Sequence, residues 1–429
     1  MSDQLTTLFS AFDRGLITRR QLLQALGVAA VIRPAAALAQ RRCGPNDGNL
    51  PGCDKTPAKP PFAATGWKTV MLDHFSMQVV DYQKEAAYFQ ALMNWKIRSD
   101  DGTKAVLDVG DWGGFVISGG MPAPPPPPPP DPNAAAGAGG GGRGGGGGRG
   151  GGRRSVITGF AWGIEPWDTK KVEEELKKRG LNPVADHAGK DFQSFHVKDP
   201  GGFDVQITNG NRKNRRTTPA NAKTGAPAPF DATNWKTVWL DHISFQAPDY
   251  KAAYAFYVAL LGWTPGEDTG SQNECKIGDV GGIIIRGGAG PARGNNAGRG
   301  GNAAGGNANA AGAAGAGNPP PLTPPAAPAP AAQRQASIDH ISFGITPWDI
   351  DVVRAELEKR NLSVSVDTGN SKGPNPAEAE KELEAKLGHP LTNQDKQVAS
   401  MHGASYQSYH TNTPNGYNLQ ISFVTKETR

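Results

Sequence analysis

The chain repeats itself, and the repeat limits what it can become. Trp67-Lys68-Thr69-Val70-Met71-Leu72-Asp73-His74 returns as Trp235-Lys236-Thr237-Val238-Trp239-Leu240-Asp241-His242, an offset of 168 positions. Trp95 and Trp263 keep that offset, as do Gly119-Gly120 and Gly287-Gly288, so 67–120 and 235–288 align without a gap. A second pair of segments follows. Ile164-Glu165-Pro166-Trp167-Asp168 matches Ile345-Thr346-Pro347-Trp348-Asp349, and Gln193-Ser194-Phe195-His196 matches Gln407-Ser408-Tyr409-His410. Two copies of one sequence pattern call for two copies of one fold. The reading is a first domain over 67–210, a linker over 211–234 and a second domain over 235–425.

Composition explains what interrupts each copy. Gly is 57 and Pro 36 of 429 residues, and most of the excess lies in two tracts. Residues 121–154 run from seven consecutive prolines into Gly/Arg repeats, and 289–336 are rich in Gly, Ala and Asn. Neither holds enough apolar side chains to offset the entropy of ordering, so both are expected to be disordered. The Gly/Arg repeat reads as a solvated spacer and not as a nucleic-acid site, because no aromatics interleave with its arginines. A net charge of +5 does not change that reading. No apolar run reaches the ~18 residues of a membrane span. Three cysteines are too few for a disulfide scaffold.

The first forty residues read as an address. Arg19-Arg20 stand just before Leu22-Leu23, a modestly apolar stretch covers 25–32, and Ala37-Leu38-Ala39 supplies a small-x-small cleavage site. Residues 1–39 resemble a twin-arginine export signal, which implies a periplasmic or secreted protein. An ordinary amphipathic N-terminal helix is the plainer alternative. In an oxidising compartment Cys43 and Cys53 can pair across a short loop, leaving Cys275 as a buried small hydrophobe.

Each half of each copy has the same order of elements. Residues 70–80 alternate as a strand does, and Asp81 then opens a helix with Ala86, Phe89, Leu92 and Met93 on one face. Asp249 opens the matching helix, with Ala253, Tyr257, Leu260 and Leu261. Val172 and Leu176, and later Val353 and Leu357, mark helices in the second halves. Short extended runs follow each helix. The unit is βαβββ, used four times, and the fold class is α+β. The tryptophans at 95, 167, 263 and 348 are expected in the core or at helix ends.

The chemistry falls on strand positions. Asp-His recurs on the first strand of three units, giving His74, His242 and His340, while the remaining unit has Gly159 there. The last strand of each copy carries Gln206 or Gln420, after Asp199-Pro200-Gly201-Gly202 or Thr413-Pro414-Asn415-Gly416. Two imidazoles and a third ligand on separate strands form a facial set that leaves positions open for substrate. Only the second copy has all three, His242, His340 and Gln420. His74 lacks a partner histidine and reads as a leftover of duplication.

These residues resemble the vicinal-oxygen-chelate superfamily, which includes glyoxalases, extradiol dioxygenases and bleomycin-resistance proteins. The resemblance covers 67–210 and 235–425 less the two tracts. It implies paired βαβββ units curled around a divalent metal, Fe, Mn, Zn or Ni, with a small oxygen-chelating molecule as substrate. In that family the third ligand is Glu, and Gln420 departs from it. The stretch His402, Tyr409, His410, Thr413-Pro414, Gly416 and Gln420 is similar to the extradiol dioxygenase signature, with His410 where the family has Tyr. That likeness implies an acid/base role for His402, and His410 joins it as a catalytic candidate. The plainer readings are a surface-loop His402 and a His410 bonded across strands. From Pro347 to Gln407 the second copy is longer than the first, and the added length, with a helix expected over Pro376–Leu387, reads as a lid over 370–405 that brings His402 in. Two functions follow. One is a metal-dependent dioxygenase, isomerase or lyase working through the second copy. The other is a metal-free protein that binds or sequesters a small molecule in the same cavity.

Overall fold

A computed structural model describes residues 54–110, 113–123, 154–187, 191–211, 213, 226–287, 335–369, 371 and 376–428. The leader reading over 1–39, the Cys43–Cys53 pairing and nearly all of both low-complexity tracts lie outside the described residues.

The elements run in four βαβββ units. The first is β1 (Lys68–Val79), α1 (Tyr82–Met93), β2 (Lys96–Asp100), β3 (Lys104–Val109) and β4 (Gly113–Ser118); the second is β5 (Ser155–Glu165), α2 (Thr169–Lys178), β6 (Val184–Ala185), β7 (Ser194–Lys198) and β8 (Asp204–Thr208). The third is β9 (Lys236–Ala247), α3 (Tyr250–Leu261), β10 (Thr264–Asp268), β11 (Gln272–Ile277) and β12 (Gly281–Gly287). The fourth is β13 (Ser337–Thr346), α4 (Ile350–Lys359), β14 (Ser365–Asp367), β15 (Ser408–Asn412) and β16 (Asn418–Ser422). The insertion between β14 and β15 holds α5 (Pro376–Leu387), over the residues expected, and α6 (Asn393–Met401), which was not expected.

Each pair of units makes one eight-stranded sheet, in the order β2-β3-β4-β1-β5-β8-β7-β6 and β10-β11-β12-β9-β13-β16-β15-β14. First strands pair antiparallel at the centre, and each is flanked by the last strand of its own unit in parallel. This α+β layout is the one that the vicinal-oxygen-chelate resemblance implies. An aspartate at the end of each first strand caps the helix that follows. Asp81, Asp168, Asp249 and Asp349 accept from the backbone N–H three residues on, at 2.9–3.1 Å.

One continuous core serves both sheets. Trp95 packs edge-on against Phe343 at 5.2 Å, and Trp162 against Trp263 at 5.5 Å. Their partners lie in opposite halves of the chain, and each ring is 0–2% exposed. The indole of Trp95 donates to Thr237 Oγ1 at 2.8 Å, and that of Trp263 donates to Thr69 Oγ1 at 3.0 Å. Burying rings of this size stabilises by about 1.5–3 kcal/mol each. Cys275 is fully buried, as a small hydrophobe should be.

The turns before the last strands also cross between halves. Asn415 donates from its backbone N and its Nδ2 to Glu85 Oε2 on α1, at 3.2 and 2.8 Å. In the reciprocal contact, Tyr257 on α3 donates to Asp199 Oδ2 at 2.9 Å. Both turns use a left-handed glycine, Gly202 at φ +79° and Gly416 at +75°. The Pro-Gly pattern read from the sequence as part of a catalytic signature therefore also docks one half on the other.

Glu85 is fully buried, and burial raises its pKa above the usual carboxyl value against the pull of its bonds from Asn415. A carboxyl with a raised folded pKa favours folding most at low pH. Wild-type stability relative to Glu85→Gln should therefore be greatest below about pH 4.5 and fall as pH rises through the folded value; a pH-independent difference would contradict the burial account. Asn415→Ala should lower the unfolding free energy by about 1–3 kcal/mol, because it strips a buried carboxylate of a donor. Denaturant melts followed by tryptophan fluorescence check this, and an unchanged midpoint would count against the dock.

Candidate metal centre

Register brings the candidate ligands together. On β9 and β13, His242 lies opposite Ser342 and Ser244 opposite His340. On β13 and β16, Ser342 lies opposite Gln420 and His340 opposite Asn418. Because side chains alternate along a strand, His242, His340, Ser342 and Gln420 all share one face. That face is enclosed, with His242 6%, His340 4% and Gln420 0% exposed.

The repeated Asp-His pair has a structural reason. Pairing skips from Ile338 to His340 and from Leu240 to His242, leaving Asp339 and Asp241 as bulged residues. A bulge re-aims a side chain that would otherwise point to the opposite face. Each aspartate thus reaches the histidine beside it. His340 Nδ1 lies 2.8 Å from Asp339 Oδ2, and His242 Nδ1 lies 3.3 Å from Asp241 Oδ2. Burial alone would raise the pKa of Asp339, but the bond to His340 together with the charges of His340, Arg286 and His410 outweighs it and holds the carboxyl below its ordinary value. Asp339 is therefore ionised and accepts, so Nδ1 of His340 carries the proton. Burial pushes the pKa of His340 down to about 4, which makes the ring neutral at pH 7 with its lone pair on Nε2.

The two Nε2 atoms then face each other at 3.3 Å. Metal–nitrogen bonds of about 2.0–2.1 Å would close that gap at an angle of roughly 105–110°. Gln420 completes the set. Its Nε2 faces Ser408 Oγ at 2.7 Å, Tyr406 OH at 3.2 Å and Asp367 Oδ2 at 3.4 Å. With three acceptors around the amide nitrogen, Oε1 is the free end. It is buried and, among the described residues, has no hydrogen-bond partner. An orphaned buried carbonyl costs about 1–3 kcal/mol, and a cation held by the two facing Nε2 atoms would satisfy it if it also reached this oxygen. The residues fit a divalent ion. Among the described residues there is no group of three or more His, Cys, Asp or Glu side chains around one point, because the third donor here is an amide.

Of the catalytic candidates, His410 is part of this cluster. It lies opposite Gln420 on β15, and its ring is 5.0 Å from that of His340. Its Nδ1 is 2.9 Å from Asn418 Oδ1, and its Nε2 is 3.4 Å from Asp367 Oδ2. Burial alone would raise Asp367, but His410 and the Gly369 amide outweigh it and hold it well below the usual carboxylate range.

His402 is not brought to the cluster. It is the residue after α6, its side chain is 41% exposed, and its Nε2 lies 3.4 Å from Asp351 Oδ1 on α4. Arg354 to Asp395 at 2.7 Å and Lys386 to Asp351 at 2.6 Å tie the insertion to that same helix. The residue from this region that does reach the site is Tyr406. Its hydroxyl donates to Asp241 Oδ2 at 2.6 Å and accepts from Gln420 Nε2. Ser342 also donates to Asp241 Oδ2, at 2.9 Å. The repeat held the signal for both, since Tyr406 and Ser342 replace Phe192 and Ala161 of the first copy.

The first copy lacks the second imidazole and has filled its place. A Cβ on Gly159 would come within 3.1–3.2 Å of Asp204. Asp204 Oδ2 is 2.6 Å from His196 Nδ1, and His196 Nε2 is 3.3 Å from Asp186. His74 is bonded to Asp73 at 2.6 Å.

No protein-family model and no curated protein sequence matches this chain. Solved structures superpose on it. The Mn(II)-bound glyoxalase from Novosphingobium aromaticivorans does so with TM-score 0.45 and 11% identity, over 83% of this chain and 82% of that one. The 2,3-dioxygenase LapB from Pseudomonas sp. KL28 gives 0.43 and 12%, over 83% and 92%. A variant of homoprotocatechuate 2,3-dioxygenase from Brevibacterium fuscum gives 0.44 and 12%, over 87% and 75%.

Tyr406 joins Gln420 to Asp241, the carboxylate behind His242, through one hydroxyl. Tyr406→Phe should therefore weaken Mn(II) or Ni(II) binding about 10–100-fold without unfolding the protein. Titration calorimetry measures this, and wild-type affinity would remove Tyr406 from the site.

Proposed function

We propose that the second copy is a metal-dependent enzyme site acting on a small oxygen-chelating molecule. The observation that carries this reading is the meeting of two Nε2 atoms at 3.3 Å on the sheet face that also carries Gln420, whose buried Oε1 has no hydrogen-bond partner among the described residues. His242, His340 and Gln420 would hold one divalent ion. When bound, that ion supplies Lewis acidity toward adjacent oxygens of the substrate.

The chain's own residues do the rest. Asp241 and Asp339 orient the two imidazoles through Nδ1. Ser408, Tyr406 and Asp367 hold the Gln420 amide so that its oxygen faces inward. His410 is the group that exchanges protons. Asn418 fixes its Nδ1, which leaves Nε2 beside Asp367 to take up or release a proton. Burial of the ligands excludes water. A neutral carboxamide in place of a carboxylate leaves more positive charge on the ion, which favours polarising chemistry such as isomerisation or lyase reactions over dioxygen activation. The first copy supports the fold and lacks the second imidazole. We place the protein outside the cytoplasm, on the Arg19-Arg20 pattern and the small-x-small site at 37–39.

Elemental analysis after reconstitution with Mn, Fe, Ni and Zn tests the reading. Wild type should hold one ion per chain. His242→Ala and His340→Ala should each lose it, and His74→Ala should keep it. Retention below about 0.1 equivalent in wild type would favour a metal-free binding protein, because a three-ligand site should stay filled at neutral pH. Gln420→Glu should tighten binding by adding charge to the ligand set, and a screen against catechol and methylglyoxal separates the reaction types.

A further inference from the structure

Among the described residues, Arg286 makes no ion pair on the face that carries the candidate ligands. On β12, Ile283 and Ile285 are fully buried in the core, so Arg286 projects to the opposite, polar face. β12 runs parallel to β9, with Ile284 beside Ser244 and Arg286 beside Gln246. Ser244 in turn lies opposite His340. The guanidinium donates from Nη1 to Ser244 Oγ and from Nε to Gln272 Oε1, both at 3.2 Å. Both acceptors are neutral. Among the described residues Arg286 makes no ion pair, although Asp339, Asp367 and Glu274 feel its charge through space. A half-buried guanidinium is ordinarily paired.

The first copy makes the contrast. Ser118 stands at the position of Arg286, and the arginine on that copy's β2, Arg98, is paired with Asp108. Gly266 replaces Arg98 in the second copy. The half with two imidazoles thus lacks that self-neutralised arginine and has instead one bonded to Ser244, opposite His340, with no ion pair among the described residues.

We infer that Arg286 is an anion subsite for the substrate of this centre, receiving a carboxylate carried on the same small molecule as the chelating oxygen pair. A planar carboxylate matches the two-pronged guanidinium, two of whose donors already fix its orientation. The inference rests on the metal reading above and adds to it a substrate class, a carboxylated vicinal-oxygen compound.

Two probes that differ only in the carboxylate test it, 3,4-dihydroxybenzoate and catechol. Both are titrated by calorimetry into full-length protein reconstituted with Mn(II), with the metal content measured on the same samples. Wild type should bind the carboxylated probe at least about tenfold more tightly, the range expected for a charged hydrogen-bonded pair. Arg286→Gln should bring the two affinities within about twofold while catechol binding and metal content stay at wild-type levels. Arg286→Lys keeps the charge without the fork and should keep part of the preference, and thermal melts of both variants check that they fold. Metal-loaded wild type that shows no preference, or a preference that survives in Arg286→Gln, overturns the subsite and leaves the metal reading standing. Wild type that takes up no metal overturns both.

Discussion

Strand register governs this protein. β9, β13 and β16 carry one candidate ligand each, and the three share a face because His242, Ser342 and Gln420 fall in one row with His340 one step along. A slip by a single residue would send every one of these side chains into the core. Two bulges refine that register. They release Asp241 and Asp339 from alternation, so each imidazole is held from behind by the residue just before it in the chain. The Asp-His dipeptide is thus a geometric unit, an imidazole with its own orienting carboxylate.

The two copies have divided their tasks. In the first, Gly159 and Asp204 close the position of the missing imidazole, and Arg98 is neutralised by Asp108. In the second, two imidazoles face each other, and among the described residues the buried Gln420 Oε1 has no hydrogen-bond partner, which is costly unless something binds there. The first copy supports the second where it matters. Trp95 packs on Phe343 of β13 and bonds Thr237 of β9, the two strands that carry the imidazoles. The turn around Asn415, just before the strand of Gln420, is anchored on Glu85 of α1. The site therefore leans on packing from the other half of the chain.

Much of this was legible in the residues. The repeat predicts paired sheets, and Asp-His at equivalent strand positions picks out His242 and His340. The last-strand glutamine follows from the same alignment. Tyr406 and Asp367 escape such reading because they reach the site from the flanks of an insertion and from a short edge strand, where sequence spacing carries no register. Arg286 escapes because one arginine in an alternating strand looks like any solvated residue. His402 shows where spacing and packing diverge. Its distance from Gln420 along the chain suits a catalytic role, but α6 packs on α4 and turns that imidazole to Asp351. α6 itself has a largely polar sequence, and its helical form is set by the Thr392–Asp395 capping box and by Arg354.

Anomalous diffraction from crystals soaked in Mn(II) addresses the central claim directly. The account requires one strong peak within roughly 2.0–2.4 Å of His242 Nε2, His340 Nε2 and Gln420 Oε1 together. A fully soaked crystal with no peak between those atoms, or with a peak elsewhere, would contradict it.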